Sequence, residues 1–382
     1  MRKQARQTVH PPRHRKALVA AMAVGALTTG VLAPTTTAFA APRPDTVQQG
    51  LDALVRDDGI VGTLANVEKG NGRARDYTAG VGDLASKEKV PVDGQVRAGS
   101  NTKAFSAVVV LQLAAEGKIA LDAPVETYLP GLVRGDGIDG RHITVRQILQ
   151  HTSGLPEYLR GDASFHYYEP RDLLDNALRF KADFAPGTRF NYSNTNYLVA
   201  GLIVQRVTGH AIAAEIDNRV VKRVGLRHTY FPAPGDTTIR EPHPKGYYRD
   251  TPDAPLRDVT ETDPSFGWAA GQLVSTNSDL NRFFSALLRG DLLPPAQLAE
   301  MKKTVPAESV GPGAAYGLGL VSRPLPCGGR YWGHGGSFPG YETRGGVTED
   351  GSTAANIAVT SRPTDKAALR HVEVVAETAL CR

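Results

Sequence analysis

The 382-residue sequence predicts a mixed α/β fold: a mainly antiparallel sheet built from both chain ends, flanked by helices, with an all-helical domain inserted. Three observations predict it. Strand-like runs bounded by turn residues lie near the beginning and the end of the chain. Helical segments separated by Pro- and Gly-bearing loops fill the middle. A basic and then apolar N-terminal stretch stands apart from both. The expected boundaries are 1–40 for a leader, 41–120 with 266–382 for the α/β domain, and 121–265 for the helical domain.

In the leader, Arg2, Lys3, Arg6, Arg13, Arg15 and Lys16 precede an apolar run from Ala17 to Ala33, and Ala38-Phe39-Ala40 precedes Ala41-Pro42. This is the pattern of a secretory signal peptide. Thr28, Thr29 and Gly30 interrupt the run, which falls short of a bilayer span, so a stable membrane anchor fits less well. No adjacent Arg-Arg pair precedes it, which favours general export. Removing the six basic residues from 44 Lys and Arg leaves 38 against 39 Asp and Glu, a charge of −1 in place of +5. The basic excess therefore gives no reason to expect a nucleic-acid partner. A secreted protein, extracellular or at the cell wall, is expected. Cys327 and Cys381 are the only cysteines; in an exported chain such a pair is most simply a disulfide tying down the C-terminal helix. The ten histidines are scattered, with no His-Glu-x-x-His and no Cys-x-x-Cys, so no metal or cofactor is expected.

Past the leader, a short helix near Val47 leads to strands Ile60 to Glu68 and Arg75 to Val81, joined by Gly70-Asn71-Gly72 as a hairpin. From Ser100 an apolar segment runs without Gly or Pro to Gly117, a helix of about four turns with a glycine stop. The middle block carries helical segments Val145 to Gln150, Pro170 to Arg179, Asn196 to Val207 and Ala211 to Val224. After Phe266 come a short apolar segment ending at Ser275, a helix from Ser278 to Leu288, and strands near Tyr331, Thr343 to Glu349 and Ala354 to Thr360. An Asp350-Gly351 turn joins the last two, and a final helix precedes Cys381.

Ser100 stands at the start of the long helix, with Lys103 three residues on. A serine hydroxyl is a weak nucleophile near neutral pH, and one helical turn brings a lysine amine within reach as its base. The chain carries its own control in Ser86-Lys87-Glu88-Lys89, which has the same spacing but runs into Val90-Pro91 and Asp93-Gly94, where no helix follows. The bland reading of Ser100 is a helix cap. Tyr192-Ser193-Asn194 opens another helix after Pro186-Gly187-Thr188. A phenol near Lys103, its pKa lowered by that cation, can relay a proton, and the Asn194 amide can bind a carbonyl; a buried tyrosine and an Asx cap are the structural alternative. Gly333-His334-Gly335-Gly336-Ser337 has the small residues of an edge that pairs with an extended substrate and aims the Ser337 N–H at an oxyanion, or else of a glycine-rich turn. His334 can add positive charge or a proton there.

Ser-x-x-Lys, Tyr-x-Asn and His-x-Gly in this order resemble the penicillin-recognising serine hydrolases: class C β-lactamases, low-molecular-mass DD-carboxypeptidases, and their esterase and D-aminopeptidase relatives. Lys118-Ile119-Ala120-Leu121-Asp122-Ala123-Pro124, His151-Thr152-Ser153-Gly154-Leu155 and Tyr316-Gly317-Leu318-Gly319-Leu320 look like blocks of the same family. The two cysteines and Tyr192-Ser193-Asn194-Thr195-Asn196 look most like secreted actinobacterial-type D-alanyl-D-alanine carboxypeptidases. The resemblance implies a β-lactamase/transpeptidase-like fold with its site between sheet and helical domain. It implies Ser100 as the acylated nucleophile, Lys103 and Tyr192 as proton carriers, and Asn194, His334, Gly335, Gly336 and Ser337 as substrate-binding residues. Phe266 and Trp268 are expected to wall the pocket, with core packing as the alternative.

Two departures bear on specificity. The third motif has Gly335 where family members usually place Thr or Ser, whose hydroxyl helps bind a substrate carboxylate. A basic residue often follows Gly-Leu-Gly-Leu in the carboxypeptidases; here Val321 does, with Arg323 two places on. Arg323 and Arg344 are the candidates to compensate. The expectation is a secreted, monomeric serine hydrolase acting on peptidoglycan stem peptides as a D-Ala-D-Ala carboxypeptidase, with small peptides or β-lactams as substrates. The same fold admits an esterase, a D-amino-acid amidase or aminopeptidase, and a β-lactamase; a non-catalytic wall-binding protein would be expected to have lost Ser100, Lys103 or Tyr192.

Overall fold

Both chain ends supply the sheet. The computed structural model describes residues 45–160, 166–251, 253–361, 363 and 365–382; the expected leader lies outside them. The chain enters through α1 (Thr46–Asp57), β1 (Gly62–Lys69), β2 (Ala74–Gly80), β3 (Val96–Arg97) and α2 (Thr102–Ala115). Its middle forms β4 (Arg134–Gly135), β5 (Ile138–Asp139), α3 (Val145–Leu149), α4 (Pro170–Leu178), α5 (Thr195–Thr208), α6 (Ile212–Ile216), α7 (Lys222–Val224), β6 (Tyr247–Tyr248) and β7 (Arg257–Asp258). It returns through α8 (Trp268–Gly271), β8 (Val274–Ser275), α9 (Asn277–Arg289), α10 (Pro295–Met301), β9 (Val305–Pro306), β10 (Ala315–Tyr316), β11 (Val321–Pro324), β12 (Arg330–Gly333), β13 (Gly336–Phe338), β14 (Tyr341–Thr348), β15 (Thr353–Val359) and α11 (Lys366–Leu380).

The nine-stranded sheet runs β2-β1-β15-β14-β12-β11-β10-β9, with β13 paired to β14. Its pairings are antiparallel, and the first and last long strands meet, Thr63 opposite Val359 and Lys69 opposite Thr353. Period-two alternation divides β15 between the faces. Ala355, Ile357 and Val359 pack with Val47, Leu51 and Leu54 of α1 and Val372 and Val375 of α11, whereas Asn356 turns to α9, where its Nδ2 donates to Asn281 Oδ1 at 2.8 Å. Local signals set the helix ends: Asp45 caps α1, a Thr144–Gln147 capping box opens α3, and Gly209 at φ +73° closes α5.

The inserted part is helical and also contains the two-residue ladders β4–β5 and β6–β7. The helix expected over Ala211 to Val224 is split by a wide turn at Asp217–Val221 into α6 and α7. That turn shifts the helical phase, so the adjacent Val220 and Val221 are both buried. At the centre lies α2. Residues Thr102 to Leu113 are all buried, as befits a helix apolar on all sides, and Phe105 stacks on Phe283 of α9 at 3.7 Å between centroids. Cys327 and Cys381 form a disulfide that ties the end of α11 to the loop before β12.

Candidate active site

A tight turn aims Ser100 outward from the start of the buried helix. Gly99 sits at φ +52°, and a Cβ there would stand 2.7 Å from the Ser337 carbonyl oxygen; only glycine lets β13 press so closely on the Ser100 turn. Gly336 answers from the other side, where a Cβ would come within 1.9 Å of the Ala98 carbonyl oxygen. The two glycines hold Ser100 and Ser337 on one wall of a cavity of about 1080 Å³, lined also by Asn194, Tyr192, Phe266, His334 and Gly335.

Lys103 is fully buried. Its Nζ lies 3.0 Å from Ser100 Oγ, 2.6 Å from Asn194 Oδ1 and 2.9 Å from the Ala270 carbonyl oxygen. Burial lowers its pKa to about 7, against the pull of the Glu157 carboxylate. In the neutral amine, two N–H bonds can stay on Asn194 and Ala270, which leaves the lone pair facing the Ser100 hydroxyl. Asn194 and Ala270 thus fix the amine where it can act as a base toward Ser100.

Tyr192 stands beside both groups, with Lys103 Nζ 4.8 Å from its ring centroid and Ser100 close enough to act on its phenol. The expected lowering of its pKa by Lys103 is not what the structure gives: burial dominates and raises the phenol, and the Glu157 carboxylate adds to the rise. Tyr192 therefore stays protonated at neutral pH, where it can give a proton. The expected charge on His334 fails for a related reason. Burial lowers that imidazole to about 3, and its neighbours suit a neutral ring, with Nδ1 2.5 Å from the Gly335 carbonyl oxygen and Nε2 3.0 Å from Tyr316 Oη. Tyr316 is 3.2 Å from His151 Nε2, and His151 Nδ1 accepts from the Ser193 N–H at 3.2 Å. This relay, His151–Tyr316–His334, joins the second motif to the third.

Phe266 lines the cavity and stacks on Phe338 at 5.0 Å, held by a hydrogen bond from Tyr158 Oη to its carbonyl oxygen at 2.5 Å. Trp268 does not wall the cavity. Its ring packs on Gly201 of α5, where a Cβ would meet Trp268 Cζ3 at 2.7 Å, so the core alternative holds for it. Sequence reasoning passed over Glu157, whose Oε2 accepts from the Asn194 N–H at 2.8 Å, and gave His151 and Tyr316 no role, although both sit in the blocks that carried the resemblance. Among the described residues there is no cluster of three or more His, Cys, Asp or Glu placed to hold a metal ion, and no single helix is long and apolar enough to cross a membrane.

The family model described as Beta-lactamase matches residues 45–380. The chain belongs to the beta-lactamase family. Among solved structures, this beta-lactamase-family chain is similar to a D-stereospecific amidohydrolase from Streptomyces sp., at 38% identity and a TM-score of 0.79 over 86% of this chain and 98% of that one. It is also similar to a D-amino acid amidase from Ochrobactrum anthropi SV3, complexed with L-phenylalanine amide, at 27% identity and a TM-score of 0.76 over 87% of this chain and 96% of that one. A putative penicillin-binding protein of Bacillus subtilis (strain 168) is 29% identical over 256 residues, 67% of this chain and 59% of the relative's own length. Family membership supports hydrolase chemistry in general, and no finding singles out the actinobacterial carboxypeptidase subtype.

Proposed function

We propose that this chain is an exported D-stereospecific amidohydrolase that cleaves amide bonds of D-amino-acid amides or D-peptides through an acyl-enzyme at Ser100. The observation that carries the chemistry is the setting of Lys103: a buried amine with a pKa of about 7, held by Asn194 and Ala270 with one position left for Ser100. Neutral Lys103 removes the Ser100 proton as Oγ attacks the substrate carbonyl. The N–H groups of Ser100 and Ser337 hold the oxyanion. The protonated Tyr192 gives its proton to the leaving nitrogen as the C–N bond breaks, and Lys103 restores it. Water then attacks the ester by the reverse path, returning the proton to Ser100.

The likeness to the Streptomyces amidohydrolase over nearly its whole length supports an amidohydrolase over the carboxypeptidase read from sequence. Gly335 and Val321, which lack a hydroxyl and a cation for a terminal carboxylate, point the same way. Ammonia release from D-phenylalanine amide, absent with the L enantiomer and abolished in Ser100→Ala, is the expected result; D-amide inert to a folded, probe-labelled enzyme would remove this substrate class. The likeness to a putative penicillin-binding protein favours a second reading, D-Ala-D-Ala carboxypeptidase. A long-lived benzylpenicilloyl adduct on Ser100, with D-Ala release from acyl-D-Ala-D-Ala outpacing D-amide turnover, would put it first. Export rests on the leader, residues 1–40, and predicts a mature N-terminus at Ala41 by N-terminal sequencing of secreted protein.

A further inference from the structure

Gly335 leaves a space, and an arginine fills it. A Cβ on Gly335 would stand 2.8 Å from Arg344 Nη1 and 3.2 Å from the Thr343 carbonyl oxygen. Arg344 belongs to β14, the strand that pairs with β13 through Thr343 opposite Gly336 and Glu342 opposite Ser337. Its guanidinium therefore reaches the substrate cleft from beneath the third motif, where a threonine in that motif would stand. A recess of about 20 Å³ opens there between Arg323, Gly335 and Arg344, room for roughly one oxygen atom or water. Arg323 and Arg344 also line the large cavity that holds Ser100.

Two guanidiniums beside a cleft suggest an anion receptor, but their charge is already matched. Arg344 Nη1 contacts the Glu342 carboxylate and donates to the Thr343 carbonyl oxygen at 2.8 Å, and Nε faces Glu373 at 3.4 Å. Arg323 Nη1 lies 2.8 Å from the same Glu373 oxygen. Glu373 and Glu377 share Arg370 at 3.2 and 2.6 Å. Among the described residues, the ion pairs set the three arginines against three carboxylates, and Glu342 is 1% exposed. An entering carboxylate would lose its water to reach arginines whose charge Glu342 and Glu373 already offset, for little net attraction. A carbonyl oxygen needs only an N–H. No hydrogen bond to Arg344 Nη2 is found among the described residues, which leaves that nitrogen as the donor.

We propose that Arg344, lodged in the space Gly335 leaves and neutralised by Glu342 and Glu373, is the specificity-determining residue on the leaving-group side. It selects peptide leaving groups whose oxygen is uncharged, a carboxamide or the next peptide carbonyl, over those ending in a free α-carboxylate. This rests on the acyl-enzyme reading above and adds to it the chemistry of the departing half of the substrate.

The test compares kcat/KM for acyl-D-Ala-D-Ala and its C-terminal carboxamide. The carboxamide is favoured about tenfold or more. Glu342→Gln keeps an acceptor for the Ser337 hydroxyl, which donates to Glu342 at 2.8 Å, and leaves a positive charge unmatched. It shifts the ratio about tenfold toward the free acid, through KM rather than kcat. Glu373→Gln, on α11, gives the same imbalance by a second route should the first variant not fold. Mere loss of structure would slow both substrates alike. Wild-type preference for the free acid, or a ratio unchanged in folded Glu342→Gln and Glu373→Gln, overturns the proposal and leaves the acyl-enzyme standing. Turnover of neither peptide by an enzyme that hydrolyses D-phenylalanine amide overturns this proposal alone; turnover of none of the three sinks both.

Discussion

The role proposed for Lys103 depends on its burial. A lysine amine in water is almost wholly protonated at neutral pH, and here desolvation brings its pKa to about 7. The sign is fixed: the neutral base gains population as pH rises, so kcat/KM should climb through about pH 7 and then level off. Burial raises Tyr192, so its loss as a donor falls well above that limb. A pH–rate profile with no acidic limb near 7 would assign the base elsewhere, and Lys103→Ala should cost about 10²- to 10⁴-fold. Ser100 and Lys103 were legible in the sequence because one helical turn relates them. Tyr192 and Asn194 were legible as a motif, but the direction of the Tyr192 shift was not, since it depends on burial that spacing does not encode. Arg344 was named only as a candidate, because a register pairing decides its position.

At the level of elements, the site depends on two backbones touching. Gly336→Ala would drive a Cβ into the Ala98 carbonyl oxygen, backbone against backbone, so β13 must move away from the Ser100 turn. A displacement of this kind should cost about 10²-fold in kcat with little change in unfolding temperature; an unimpaired variant would show that this contact does not align the oxyanion donors. The sheet is held to α9 by buried amides. Asn281 Nδ2 donates to the Asn66 carbonyl oxygen at 2.9 Å and to Asn66 Oδ1 at 2.7 Å, while Asn281 Oδ1 accepts from Asn356. Asn281→Ala strands these partners and should destabilise by about 2–4 kcal/mol in denaturant unfolding. The long strands and helices followed from the sequence because their periods repeat; α10 and the two-residue strands β9 and β10 are too short to show one.

Across the molecule, the chain's two ends close one sheet around an inserted helical part, an arrangement the distribution of strand-like and helix-like segments already implied. The disulfide strengthens that closure at the end of α11. Its 54-residue separation makes the closed loop long, and replacing Cys327 and Cys381 by alanine should cost about 2–4 kcal/mol, seen as a lower unfolding temperature under oxidising conditions and none of that difference under strong reductant. The cysteines lie outside the catalytic cavity, so activity at low temperature should persist. The central claim is that Ser100 carries the acyl group of a D-residue. It is tested most directly by acid-quenching the enzyme during turnover of a D-phenylalanine aryl ester, reading the intact mass, and mapping the modified peptide. The predicted result is a D-phenylalanyl adduct on Ser100 that is absent from Ser100→Ala. Turnover that continues with no adduct, or with the adduct on another residue, would contradict it.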